Sequence, residues 1–101
     1  MLVNNAANDV RHTLEEVDSE MFDRLIAVNL KHAFFAAKAV VPMMKAAGGG
    51  AIINLGSVGW MMASAGYPVY AASKAAAHGM TRALARELGP SHIRVNTLVP
   101  G

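Results

Sequence analysis

Two side chains with acid–base chemistry, Tyr70 and Lys74, stand four positions apart, and Ser57 lies upstream of them. Residues i and i+4 of a helix share a face, so a helix here would place the phenol beside the ammonium. A free tyrosine, with a pKa of about 10, is a poor base near neutral pH, whereas a nearby cation favours the phenolate. Such a tyrosine can exchange a proton with a substrate oxygen, and a serine hydroxyl can hold that oxygen by a hydrogen bond.

A tyrosine and a lysine at this spacing are weak evidence by themselves, because short motifs match by chance. Tyr67 is the nearest competitor, but its i+4 neighbour is Ala71, so it lacks the cation. We interpret Tyr67 as a packing or substrate-side residue. Ser73 is a helix-packing residue rather than a nucleophile in this interpretation, since no histidine or acid lies at a useful spacing.

The composition predicts one modest globular domain. The chain has 101 residues, of which 53% are hydrophobic and 16% charged, and this excludes disorder as the main interpretation. The net charge of +2 is small and the basic residues form no cluster, which argues against a nucleic-acid partner.

Cysteine and histidine usage excludes several kinds of site. The sequence has no cysteine, so it carries no disulfide framework and no thiolate nucleophile, which fits a cytoplasmic protein. The four histidines show no metal-ligand spacing, and we expect no metal and surface or structural roles for them. No segment reaches the run of about 18 apolar residues that a membrane span requires, so no membrane partner is expected.

The first long helix is predicted from an N-cap at Asp18 to about Ala47, with a bend near Pro42 and three glycines, 48–50, that end it. Apolar residues at helical spacing predict its buried face. That face comprises Phe22, Ile26, Asn29, Ala33, Ala37 and Val40, and Arg24, Lys31, Lys38 and Lys45 form the solvated face.

The remaining elements are short apolar strands and a second helix. Strands are predicted at residues 1–3, 51–55 and 93–99, and the helix from Pro68 to Leu88, stopped by Gly89-Pro90. Long helical crossovers imply an α/β fold in which the three strands are parallel. Ligands bind at the carboxyl ends of such strands, where Asn4-Asn5, Gly56-Ser57 and Pro100-Gly101 lie.

Five elements in this order and spacing resemble the short-chain dehydrogenase/reductase family. Tyr70 follows Ser57 by thirteen positions, and the match covers essentially the whole chain. The elements are Asn4-Asn5-Ala6, Asn29 within Val28-Asn29-Leu30, Gly56-Ser57, Tyr70 with Lys74, and Pro100-Gly101. The resemblance implies a Rossmann-type parallel sheet and hydride transfer between NAD or NADP and an alcohol or carbonyl substrate.

The resemblance also implies catalytic roles for four residues. Tyr70 would be the general acid or base, Lys74 would favour its phenolate and bind the nicotinamide ribose, and Ser57 would orient the substrate oxygen. Asn29 would hold a water in a proton relay toward Lys74. The ordinary alternative for Asn29 is a core asparagine that ties down a neighbouring carbonyl.

Cofactor contacts are implied at both ends of the chain. Asn5 and Ala6 would line the cofactor, as would Tyr70 and Lys74, and Pro100-Gly101 would pass near the nicotinamide. The family's usual Asn-Asn-Ala-Gly ends here in Ala7, whose backbone is less free than that of glycine.

The family's glycine-rich phosphate loop is absent from these residues, so residues 1–101 are expected to be a partial domain, truncated at both ends. The first strand and its helix would precede Met1, and the substrate-covering segment would follow Gly101. The residues that distinguish NAD from NADP would also lie in the preceding part.

The segment from Asn4 to His12, with Trp60 after Ser57, resembles the branch that oxidises aldoses such as D-xylose, L-arabinose, L-rhamnose or D-galactose at C1 to a lactone. A 3-oxoacyl-carrier-protein reductase is the alternative within the family. Homodimers or homotetramers through the two long helices are implied. The alternative of another class is a non-catalytic chain that only associates with full-length relatives.

Overall fold

Strands of a parallel sheet alternate with helices along the chain in this computed structural model, which describes residues 1–4, 12–56 and 68–99. The predicted order of strand, helix, strand, helix, strand is confirmed. The elements are β1 (Leu2–Asn4), α1 (Ser19–Ile26), a π segment (Ala27–Lys31), α2 (His32–Ala46), β2 (Gly50–Leu55), α3 (Pro68–Leu88), a 3-10 turn (Gly89–Ser91) and β3 (Ile93–Leu98).

The sheet has the order β1-β2-β3, and both neighbouring pairs are parallel. Asn4 of β1 is in register with Asn54 of β2, which is in register with Thr97 of β3. Because parallel strands point the same way, their carboxyl ends meet at one edge of the sheet. The predicted Rossmann-type α/β architecture is therefore present, and this edge is where a ligand is expected.

Both ends of the first long helix match their sequence signals. The Asp18 side chain accepts a hydrogen bond from the Met21 N–H at 2.8 Å, which caps the helix. At the other end Gly48 adopts a φ of +86°, and the Gly49 N–H donates to the Met44 carbonyl at 2.9 Å. A positive φ is the conformation that favours glycine at this position of a helix end.

The predicted buried face of this helix is wrong before Asn29. Phe22 is 47% exposed and Ile26 is half-buried, whereas Leu25 is buried. The π segment provides the reason, since its backbone bonds reach five residues back instead of four. The extra residue in that turn changes which residues of α1 face the core.

After the π segment the predicted face is confirmed. Asn29, Ala33 and Ala37 are buried and Val40 is half-buried, while the lysines of the predicted solvated face are exposed. The core lies where α2 and α3 meet the sheet, and Ile52 of the central strand is fully buried. Its other buried members are Ala37, Met44, Leu88, Ile93 and Val95.

The helical stretch Ser19–Ala46 is long and apolar enough to cross a membrane by length and composition, with a mean hydropathy of 1.3 over its most apolar 18 residues. Core helices of ordinary globular proteins pass the same test. Here the stretch packs on β1, β2 and α3, and it carries four basic side chains on its exposed face. We therefore interpret it as a helix of the α/β fold, packed on the sheet and on α3.

Candidate active site

A buried lysine joins α3 to the carboxyl end of β2. The Lys74 side chain is 5% exposed, and its Nζ donates to the carbonyl of Leu55, the last residue of β2, at 3.0 Å. The same Nζ lies 5.7 Å from the centroid of the Tyr70 ring. The juxtaposition predicted from the i, i+4 spacing is therefore confirmed.

Burial changes the electrostatics of this lysine. It lowers the pKa of Lys74, because the ammonium has lost the water that would solvate its charge. An ammonium carries three donors, and among the described residues the Leu55 carbonyl is its acceptor. Tyr70 is half-buried among the described residues.

Asn29 lies in the π segment, which packs against the helix that carries Tyr70 and Lys74. Asn29 is 3% exposed, and the segment packs against α3. Single π turns within α-helices are frequent at functional sites. A buried amide of this kind must be hydrogen-bonded, so a purely structural asparagine would also occupy such a position. The position is compatible with the relay role that the resemblance implies.

A network of buried hydrogen bonds joins the strands at this edge of the sheet to α3. The Asn4 Nδ2 donates to the Asn54 Oδ1 at 2.8 Å, the Asn54 Nδ2 donates to the Thr81 Oγ1 at 2.9 Å, and that hydroxyl donates to the Ala77 carbonyl at 2.9 Å. The Asn4 amide also approaches the Ala33 carbonyl at 3.4 Å. The chain links β1, β2 and α3, and each bond contributes about 0.5–1.5 kcal/mol.

Sequence reasoning placed Asn4 at the end of the first strand, but it did not identify the network that joins Asn4, Asn54 and Thr81. The available signal was a pair of asparagines in two apolar strands that register brings side by side. Thr81 carries no comparable signal, because a threonine in a helix is most often unremarkable.

Two further residues have structural contacts in the site. Ser73 is fully buried and its Oγ donates to the Tyr70 carbonyl at 2.8 Å, which fits the packing role predicted for it. His12 is 1% exposed, and its Nε2 accepts from the Val69 N–H at 3.1 Å. A structural role was one of the two expected for His12, but its contact with α3 was not foreseen.

The other predicted site residues lie outside the described part of the chain. They are Asn5, Ala6, Ser57, Pro100 and Gly101, and Tyr67 and Trp60 lie outside it too. Within residues 1–4, 12–56 and 68–99 no three acidic or histidine side chains are grouped so that they can hold a metal ion.

Sequence comparison assigns the chain to a family. The family model described as short chain dehydrogenase matches residues 1–101. D-xylose 1-dehydrogenase of Caulobacter vibrioides is 52% identical over all 101 residues, which align with 41% of that enzyme. A protein described as a galactose dehydrogenase of Rhizobium meliloti is 46% identical over the whole chain, which covers 40% of it.

Solved structures give the same result. A protein described as a short-chain alcohol dehydrogenase from Sinorhizobium meliloti superposes with a TM-score of 0.94 at 42% identity, over 99% of this chain and 40% of that one. A protein described as an NAD(P)-dependent gluconate 5-dehydrogenase from Beutenbergia cavernae, with NADP bound, superposes with a TM-score of 0.93 at 37% identity, also over 99% of this chain and 40% of that one. This chain thus spans about two fifths of the length of its relatives. The family model matches the whole chain, and the parallel sheet and the Tyr70–Lys74 pair agree with it. The chain therefore belongs to the short-chain dehydrogenase family.

Proposed function

We propose that this chain is the catalytic segment of an NAD(P)-dependent oxidoreductase that oxidises an aldose at C1 to a lactone. The observation that carries the proposal is the buried Lys74, held by the Leu55 carbonyl with its ammonium beside the Tyr70 ring. The sugar dehydrogenases among the relatives support an aldose substrate over an acyl-carrier-protein thioester. Residues 1–101 would then be a partial Rossmann domain that chain on both sides completes.

The proposed proton step uses the phenol of Tyr70. In the oxidising direction the C1 hydroxyl gives its proton to the phenolate oxygen of Tyr70, and the C1–O bond gains double-bond character as C1 loses a hydride. In the reducing direction the same phenol donates the proton. NAD or NADP supplies the hydride chemistry.

Three other residues position these groups in the proposal. The Lys74 ammonium favours the phenolate of Tyr70 by its charge. Ser57 donates a hydrogen bond to the substrate oxygen, and Asn29 holds a water on the path by which protons leave toward Lys74. The burial of Asn29 within a segment that packs against α3 supports the last of these roles.

The side chains at the sheet edge fit the sugar end of a nicotinamide nucleotide. A ribose diol offers hydroxyl oxygens, which are acceptors that the two remaining N–H donors of Lys74 can satisfy. We propose that Asn5 and Ala6 line the cofactor and that Pro100-Gly101 lies near the nicotinamide. The neighbour solved with NADP supports a nicotinamide nucleotide in general.

Self-association through the long helices is a further part of the proposal. Large apolar side chains lie exposed on their outer surface, and Phe34 and Phe35 stack edge to face with centroids 5.2 Å apart. Alongside them runs an apolar groove between α2 and α3 that Ala76 and Met80 also line. Exposed apolar patches of this kind mark interfaces, so we propose a homodimer or homotetramer.

Phe35→Glu tests that interface. Placing a charge on a side chain that is 49% exposed in the monomer and buried in a dimer should raise the self-association Kd at least about thirtyfold. Sedimentation velocity measures the effect, and Lys45→Glu, at an exposed position on the solvated face, is the matched control. A chain that is monomeric at high concentration before any substitution would contradict the proposal.

Cofactor binding by the 101-residue chain is the direct test of the proposed function. The nicotinamide fluorescence of NADH and NADPH is followed during titration, together with the single tryptophan, Trp60. We expect weak saturable binding of at least one cofactor, with a Kd in the range of about 0.1–1 mM, since part of the cofactor's contacts belongs to other segments of the relatives. An aldose panel and a 3-oxoacyl thioester then separate the two substrate classes.

Activity is tested in a composite enzyme, in which residues 1–101 replace the aligned segment of the Caulobacter D-xylose 1-dehydrogenase. That segment is 52% identical, so most core contacts are retained. Aldose-dependent reduction of NAD or NADP would support the enzyme. A folded composite that binds cofactor but oxidises no aldose would overturn the aldose proposal. If the chain also binds no cofactor, the alternative of a non-catalytic associating protein gains support.

We place the protein in the cytoplasm, a proposal that fractionation of cells tests.

A further inference from the structure

The first turn of α3 is attached to a distant part of the chain by a buried histidine. Pro68 opens the helix and has no N–H, so Val69 carries the first backbone donor of α3. The first N–H groups of a helix have no partner within the helix. The Val69 N–H donates instead to His12 Nε2 at 3.1 Å, across 57 positions of sequence.

The hydrogen bond defines the chemical state of the histidine. A ring nitrogen can accept only when it carries no proton, so Nε2 is unprotonated, and a neutral ring then carries its proton on Nδ1. His12 is 1% exposed and has a further interaction within the structure, so its ring is held in place rather than free to turn. The imidazole is thus a fixed acceptor at the start of α3.

The position of this contact relative to the proton-transferring group gives it a function. Tyr70 follows Val69 directly, so the backbone that Val69 anchors is the backbone from which the Tyr70 side chain projects. Lys74 anchors the next turn through the Leu55 carbonyl. His12 and Lys74 therefore attach α3 on both sides of Tyr70, one to the segment that precedes α1 and one to the end of β2.

We propose that His12 is a positioning residue, which fixes the Tyr70 phenol by accepting the first N–H of α3. The proposal rests on the proposed function, since it assumes that Tyr70 transfers the proton. Without the acceptor the first helical turn frays, and the phenol samples positions from which transfer is slow. A displacement of about 1 Å can cost about a hundredfold in rate.

The test compares two substitutions of His12 in the composite enzyme. His12→Leu removes the acceptor and should lower kcat about 10–100-fold, with the KM for the sugar changed less than about threefold. His12→Gln places an amide oxygen near the position of Nε2 and should restore kcat to within about fivefold of the parent. Arg82→Gln, at an exposed position far along the same helix from Tyr70, is the matched control and should leave kcat within about twofold.

Amide exchange separates the failure of this proposal from that of the proposed function. In His12→Leu the Val69 amide should exchange at least about tenfold faster, while amides near Thr81 are unchanged, and NMR of the 101-residue chain or the composite records this without turnover. An unprotected Val69 amide with unchanged kcat would overturn the positioning role, as would a Gln variant as slow as the Leu variant. If Tyr70→Phe were active, the proposed function would fail whatever the Val69 amide showed.

Discussion

Tyr70→Phe in the composite enzyme is expected to lower kcat by about 10³-fold and to leave the Kd for the cofactor within about twofold. The substitution removes one hydroxyl oxygen and preserves the ring that lies beside Lys74. Without that oxygen no side chain group at this position can take the proton from the C1 hydroxyl. Steady-state kinetics with an aldose and a fluorescence titration with NADPH or NADH measure the two quantities.

Tyr67→Phe is the control for this experiment. Tyr67 has Ala71 rather than a lysine at i+4, so the helical spacing supplies no cation to favour its phenolate, and kcat should fall less than about threefold. Retention of more than a tenth of the activity by Tyr70→Phe would show that another group carries the proton. The aldose mechanism would then need a different acid–base residue.

Lys74→Met should abolish most of the activity without unfolding the protein. Methionine has a similar length and keeps the apolar contacts of the lysine stem, but it supplies neither the charge beside Tyr70 nor donors for the ribose. We expect kcat to fall about 10²–10³-fold, with a weaker cofactor affinity as well. Lys45→Met, at an exposed position in the last turn of α2, should leave both parameters within about twofold.

Lys74→Met should also change how the free energy of unfolding depends on pH, in a direction that can be predicted. Because burial lowers the pKa of Lys74 below its ordinary value of 10.5, the unfolded state binds more protons than the folded state between the two values. The free energy of unfolding with Lys74 present should therefore rise with pH in that window, relative to the Met variant. Below the lowered pKa both states are protonated, and the difference is constant.

Urea unfolding from neutral pH to about pH 10.5 measures this difference, and a Tyr70→Phe background removes the titration of the phenol. A difference that is flat or falls with rising pH would contradict the buried ammonium. Unfolding of Lys74→Met at neutral pH would show instead that the bond to the Leu55 carbonyl is essential for folding.

Local sequence signals determined the elements and most of their boundaries. Asp18 and the glycines after Ala46 mark the ends of the first long helix, and Pro68 and Gly89-Pro90 mark those of the second. Each signal acts through its own backbone, by a cap, a missing N–H or a positive φ, so it can be recognised without the rest of the fold. The same holds for Tyr70 and Lys74, whose proximity follows from helix geometry alone.

The tertiary structure decided which side chains meet across the chain. The extra residue per turn in the π segment moved the buried face of α1 from Phe22 and Ile26 to Leu25. An apolar pattern in the sequence does not reveal such a turn, so this change could not be predicted. The bond from Lys74 to Leu55 and the network of Asn4, Asn54 and Thr81 depend on strand register and on how α3 lies over the sheet. His12 caps α3 from 57 positions away, and no local pattern encodes such a contact, because its geometry exists only once the chain has folded.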